Sequence, residues 1–313
     1  MAAKRKTAKS KKPIPAVRYL RYELTNSSTP GTETSHYIDL ARDISAINRR
    51  LYRQGRVYHI RKVTFISKNT PNQGNRISIS TVPDSWTARN AWRRGFESWQ
   101  SQKKLVKDSA NSNISAGKFD DFKVYLSFDS RAATPLVPLD NGGNALQLGE
   151  WDYVTLYSPD GTTSTDPFNL HMLGDHSGSA GGWNSVSLIK SYGESRTTVT
   201  NQMPNQPSTT SDDPIVNLHD HGTNFDEIID KMESSNDNAP YDVVNYPGSD
   251  GNMAKPLVVQ DTVLVDGRAV VGGFSAICGL LEIESQSDVE DDTISVLVEL
   301  APGNYRGIGA EVI

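Results

Sequence analysis

Short strand-like runs, set apart by long polar stretches, constrain this chain's fold more than any other feature. Val17 to Thr25 alternates, with Val17, Tyr19, Arg21 and Glu23 on one side and Arg18, Leu20, Tyr22 and Leu24 on the other. Tyr58–Ser67 and Arg76–Val82 read as strands around the turn Asn69–Gly74. Further strands are predicted at Phe119–Phe128, Trp151–Tyr157, Val186–Tyr192, Leu257–Asp266, Phe274–Glu284 and Thr293–Leu300. Asp266-Gly267 is a type I′ hairpin signal between Thr262–Val265 and Ala269–Val271, because both turn positions need positive φ. The stretches 158–184 and 197–224 are rich in Gly, Ser, Thr, Asn and Pro, and loops of that length usually carry function. No heptad, fixed repeat or alternating βαβ pattern is present. Many strands, few helices and long loops predict a mainly β sandwich or barrel.

Two helices are predicted within it. Over Asp39–Gln54, Leu40, Ile44, Ile47 and Leu51 form one apolar stripe, and Gly55 is the stop. Arg42, Arg49 and Arg53 lie about 180° from that stripe at helical spacing. After Pro83-Asp84-Ser85, a second helix runs to about Lys104. It carries Trp92, Phe96 and Trp99 on one face and Arg89 and Arg93 on another. At that spacing Trp92 and Trp99 read as core. Arg89, Arg93 and Arg94 are the better candidates for nucleic acid.

The formal net charge of −5 hides a partition. Residues 1–107 hold 23 Lys/Arg against 6 Asp/Glu, a formal +17, whereas residues 108–313 carry −22. Such asymmetry points to a nucleic-acid or membrane partner for the basic part. The densest run, with Lys4, Arg5, Lys6, Lys9, Lys11 and Lys12, has no large apolar side chain to offset the entropy of ordering, so residues 1–16 are expected to be a disordered basic arm. Alone, that run would serve equally as a solubilising tail or an import signal. Its continuation into folded segments favours a polyanion-binding surface.

Other classes are disfavoured. No stretch approaches the ~20 apolar residues of a membrane span, and no apolar run follows the basic start, so no secretory signal is expected. The single cysteine, Cys278, allows no internal disulfide and no cysteine-based metal site. His219-Asp220-His221 has ligand chemistry, but no third ligand is fixed by sequence, and a solvated loop is the adopted reading. Asp175-His176-Ser177 holds the residue types of a hydrolase triad, yet a triad needs spatial convergence rather than adjacency, so no enzyme is expected. Asp288, Glu290, Asp291 and Asp292, with Asp212-Asp213 and Asp226-Glu227, could give calcium oxygen ligands between subunits. No calcium-loop spacing is present, so no cofactor is assigned.

Two segments, Ser80–Trp99 (STVPDSWTARNAWRRGFESW) and Phe274–Ile283 (FSAICGLLEI), resemble segments of coat proteins from marine single-stranded DNA viruses with small circular, replication-initiator-encoding genomes, including relatives of the bacilladnaviruses. In layout the resemblance spans roughly the whole chain; it is specific only in those two segments. It implies an eight-stranded antiparallel jelly roll over 17–313, a homo-oligomeric icosahedral shell, and an interior arm bound to a single-stranded DNA genome in the virion. The genome type comes only from the resemblance, since the residue chemistry suits RNA equally. Two other classes compete. A non-catalytic single-strand-binding protein would need stacking aromatics on an exposed sheet face, and a glycan-binding module would use the polar loops and Trp183 but leaves the arm unexplained.

Overall fold

The computed structural model describes residues 15–67, 75–108, 119–159, 165–179, 182–195 and 257–313. In chain order the elements begin with β1 (Tyr19–Thr25), β2 (Thr34–Asp39), α1 (Leu40–Asn48), β3 (Arg56–Ser67), β4 (Arg76–Thr81), α2 (Trp86–Asp108) and α3 (Phe128–Ala132). They continue with β5 (Thr155–Pro159), β6 (Thr165–His171), β7 (Ser177–Ser179), β8 (Gly182–Ser187) and α4 (Leu188–Glu194). The carboxyl-terminal part adds β9 (Leu257–Val263), β10 (Arg268–Val271), β11 (Phe274–Ile277), β12 (Leu280–Gln286), β13 (Thr293–Leu300), β14 (Pro302–Gly303), β15 (Gly307–Ile308) and β16 (Ala310–Val312). The protein is mainly β.

Two antiparallel sheets dominate. One runs β1-β13-β3-β10, with β11 and β16 also paired to β3; the other runs β2-β12-β4-β9. Alternation places one row of each strand inside. Leu20, Tyr22 and Leu24 of β1, Val63 and Phe65 of β3, and Val296 and Val298 of β13 meet Ile38, Ile77, Ile79, Leu281 and Ile283 of the other sheet in a single buried cluster. This arrangement is compatible with a β-sandwich. Asp266 and Gly267 take φ of 50° and 71°, and Arg268 N donates to Val265 O at 3.0 Å, as the two-residue turn requires. The turn also switches layers, because β9 pairs with β4 and β10 with β3.

Residues 82–256 separate β4 from β9 in the chain. Their described part builds a second cluster, in which Trp92 of α2 meets Phe122, Val124 and Leu188, together with Val57, Ile277 and Leu280 from the two sheets. Ser85 Oγ accepts from Ala88 N at 3.2 Å at the start of α2. A small sheet, β5-β6-β8-β7, covers part of this layer, with β6 and β8 parallel. None of the described helices is long and apolar enough to cross a membrane.

Several local expectations differ from the structure. The first helix ends at Asn48 rather than Gln54. Arg49 turns into the left-handed region (φ 51°), and Ser45 Oγ accepts from Tyr52 N at 2.7 Å. Burial of Tyr52 in the main core, with its hydroxyl on Arg306 O, outweighs continued helix. Phe119–Phe128 is not a strand, although residues 121–124 are buried; Val186–Tyr192 splits into the end of β8 and α4, capped by Ser187. Phe274–Glu284 is two strands, broken where Cys278 (φ 60°) and Gly279 (φ 71°) turn. The stretch 158–184 carries β6 to β8 rather than loop alone, whereas 197–224 and the turn 69–74 lie outside the described residues.

Candidate nucleic-acid interface

The arm cations Lys4, Arg5, Lys6, Lys9, Lys11 and Lys12 lie outside the described residues. The described residues begin at Pro15, and Val17 is tied to the end of α1. Val17 N donates to Asn48 Oδ1 at 2.7 Å, and Asn48 Nδ2 donates to Val17 O at 3.0 Å. The arm's point of departure is therefore fixed beside Arg49 and Arg50, both exposed.

The cationic face expected of the first helix is redistributed. Arg42 is only 9% exposed. Its Nε donates to Asp43 Oδ1 at 2.8 Å and its Nη2 to Leu136 O, so it is committed inside the protein rather than offered to solvent. The cause is tertiary: the segment around Leu136 and Trp151 covers the helix face that an isolated α1 would expose. Arg53 lies beyond the helix and pairs with Asp121 at 2.7 Å. Arg49 stays exposed at the helix end.

The α2 arginines belong to another surface. Arg89 clamps Asp84 through two hydrogen bonds of 2.6 and 2.9 Å and reaches Glu311 at 3.3 Å; those carboxylates hold its guanidinium above the ordinary range. Arg93 is exposed and donates to Ile313 O at 3.4 Å; Arg94 is exposed on the same helix. Arg89 and Arg93 therefore fasten the carboxyl-terminal residues, while Trp92, Phe96 and Trp99 stack around Phe122 in the second cluster. Trp86 is exposed and lies edge-on to Tyr192.

A groove of about 240 Å³ opens at the end of α1. Arg49, Arg50, Lys123, Phe119, Trp151 and Glu150 are among the residues lining it. Of the lining residues, Arg42, committed to Asp43, and Arg49 were sequence candidates. Lys123, Phe119 and Trp151 come from segments more than 60 residues distant in the chain, and no local spacing announces them. The Trp151 ring is anchored: its Nε1 donates to Asp39 Oδ2 at 2.9 Å. That carboxylate also accepts from Gln54 Nε2 at 2.8 Å and Tyr153 OH at 3.1 Å, and its other oxygen accepts from Arg42 N. Burial is the main cause that raises the Asp39 pKa. The cluster joins β2 and α1 to the segment that carries Trp151.

The remaining sequence constellations are structural where they are described. Asp292 is buried and accepts from Asn75 Nδ2 at 2.8 Å and from the hydroxyls of Ser67 and Ser287. Asp288, Glu290 and Asp291 are outside that network, and no group of three or more metal-ligating side chains occurs among the described residues. Asp175 pairs with Lys190, and His176 faces Glu194 at 3.2 Å and the Trp183 ring, so the three adjacent residues do not converge on one another as a triad. His219-Asp220-His221, Asp212-Asp213 and Asp226-Glu227 lie outside the described residues. No protein-family model, curated protein or solved structure matches the chain.

Proposed function

We propose that this chain is a coat subunit, an eight-stranded jelly roll that self-assembles into an icosahedral shell and packages single-stranded nucleic acid, DNA by the resemblance, through its basic amino-terminal arm. It acts as a structural, non-enzymatic protein of the virion.

The jelly-roll reading is supported by nested pairing. Take β1, β2, β3, β4, β9, β10, β12 and β13 as first to eighth. The first pairs with the eighth, the second with the seventh, the third with the sixth and the fourth with the fifth. One long antiparallel hairpin generates those four pairs. Rolling it up sends alternate pairs to alternate sheets and adds the contacts of third with eighth and fourth with seventh, both of which are present. Two Greek keys wound this way form a jelly roll.

The observation that carries the function is the join between that fold and the charge. A run of six cations precedes β1, an edge strand of the sandwich, and its root lies beside exposed Arg49 and Arg50. An arm of this kind neutralises phosphates without reading sequence, as packaging a whole genome demands.

Electron microscopy of the purified protein tests the reading: regular closed particles are expected, and their absence across a range of salt and pH would count decisively against it. Deleting residues 1–12 should leave the particle fold intact and reduce encapsidated nucleic acid. Unchanged packaging would remove the arm from the proposal.

A further inference from the structure

Lys123 is the least explained charge in the described structure. It is 6% exposed and lines the groove at the end of α1. Its ammonium lies 4.6 Å from the centre of the Trp151 ring. Among the described residues it has no hydrogen-bond or ion-pair partner. The nearby carboxylate of Asp121 is paired with Arg53. Lys123 and Arg53 both act on that one carboxylate, and only Arg53 is ion-paired to it, so the Lys123 ammonium is left able to take an incoming anion.

The groove around it has the chemistry of one such anion. Arg49 and Arg50 add two exposed cations that form no ion pair among the described residues. Phe119, 70% exposed, presents an aromatic face at the same opening. The pairing of cations with a free aromatic ring is what a phosphate and its base require. A volume of about 240 Å³ is too small to enclose a drug-sized molecule, so a chain ligand would leave most of its length outside. The tether from Val17 to Asn48 starts the basic arm one residue from Arg49, so a polynucleotide held by the arm is delivered to the groove's edge. Glu150 on the rim disfavours a second phosphate there and limits the site to one.

We infer that this groove seats a single nucleotide of single-stranded nucleic acid, with its phosphate on Lys123, Arg49 and Arg50 and its base against Phe119. The inference rests on the coat-protein reading and names the place on the folded domain where the packaged strand is first held.

The test uses the full-length protein and a fluorescent oligo-dT followed by anisotropy, with an abasic oligomer of equal length as a second probe. Phe119→Ala should weaken oligo-dT binding about tenfold, as the loss of one stacked base predicts, and leave the abasic probe unaffected. Lys123→Met, which keeps the apolar stem, should weaken both probes and lower the salt slope by about 0.7, the share of one phosphate on a single strand. Wild-type affinity for both probes in both variants overturns the inference. Because Phe119 is exposed, its variant decides the matter even if Lys123→Met fails to fold. A third variant with the six arm cations changed to Gln separates the two claims. If that variant loses packaging while both groove variants bind normally, the groove falls and the coat reading stands. If the wild-type protein forms no particles, the coat reading itself falls, whatever the groove variants do.

Discussion

Acidification should destabilise this protein through one buried imidazole. His171 is fully buried at the end of β6, with Nε2 donating to Asp175 O at 2.9 Å and Nδ1 therefore accepting from Ser185 Oγ at 2.7 Å. Both ring nitrogens are used by the neutral tautomer, and a proton on Nδ1 would face a hydroxyl that must reorient. Burial is the main cause that lowers the pKa from 6.5 to about 4, and the nearby His176 lowers it further, while the Asp175 carbonyl opposes. Between those values the unfolded chain binds the proton and the folded one does not, so stability is complete above pH 6.5 and is lost as pH falls toward 4. At 1.36 kcal/mol per pH unit the whole effect is about 3 kcal/mol, of which about 1.4 is lost by pH 5.5 and about 2.6 by pH 4.5. Denaturant unfolding at steps between about pH 7.5 and 4.5 measures it. His171→Gln cannot titrate; it starts from a lower stability, and its pH profile should be flatter by that amount. Parallel profiles for wild type and variant would refute the reasoning.

Other perturbations follow from the same structure. Gly279→Ala should destabilise by about 2 kcal/mol or more in denaturant titration, because φ is +71° and the new Cβ would sit 2.9 Å from the Tyr58 ring. Arg42→Met should cost about 3–5 kcal/mol, since it strands the buried Asp43 carboxylate, which otherwise accepts from Arg42 and from Tyr22 OH at 2.7 Å. Asp292→Ala should cost about 3 kcal/mol by leaving Ser67, Asn75 and Ser287 without their shared acceptor. Arg49→Gly should raise stability by about 0.5–1 kcal/mol, because glycine suits φ 51°, while weakening oligo-dT binding; thermal melts and anisotropy read the two effects separately.

The strands were legible where one face of a segment meets the core and the other meets solvent. β1 and β13 lie within two residues of their expected bounds, and over β1 and the first half of β13 buried positions alternate with more exposed ones. The Asp266-Gly267 turn was legible for a local reason: few residue pairs accept positive φ twice in succession. The misreadings lie where a segment is buried on every side or recruited by a distant one. Residues 121–124 alternate charged and apolar side chains as a strand would, yet all four are buried and none is in a strand. Val186–Tyr192 mixes apolar and polar residues without a clear period, and α4 forms because Ser187 caps it and Leu188 and Ile189 enter the second cluster.

The candidate surface divides along the same line. Its charge partition, its basic arm and the core role of Trp92 and Trp99 could be read from residue order, because each depends on composition or helical spacing. Which arginines remain free could not. Arg42 has the same helical-wheel position as an exposed cation, yet a segment about 90 residues away covers it. Lys123 meets Trp151 across 28 positions of chain, and both meet Arg49 only because α1 stops early to bury Tyr52. Sequence by itself determined that a run of cations precedes a β-rich body, since composition and periodicity set both. Only the tertiary structure decided which cations that body keeps for its own carboxylates and which it leaves beside an aromatic ring at the root of the arm, because that choice depends on long-range burial.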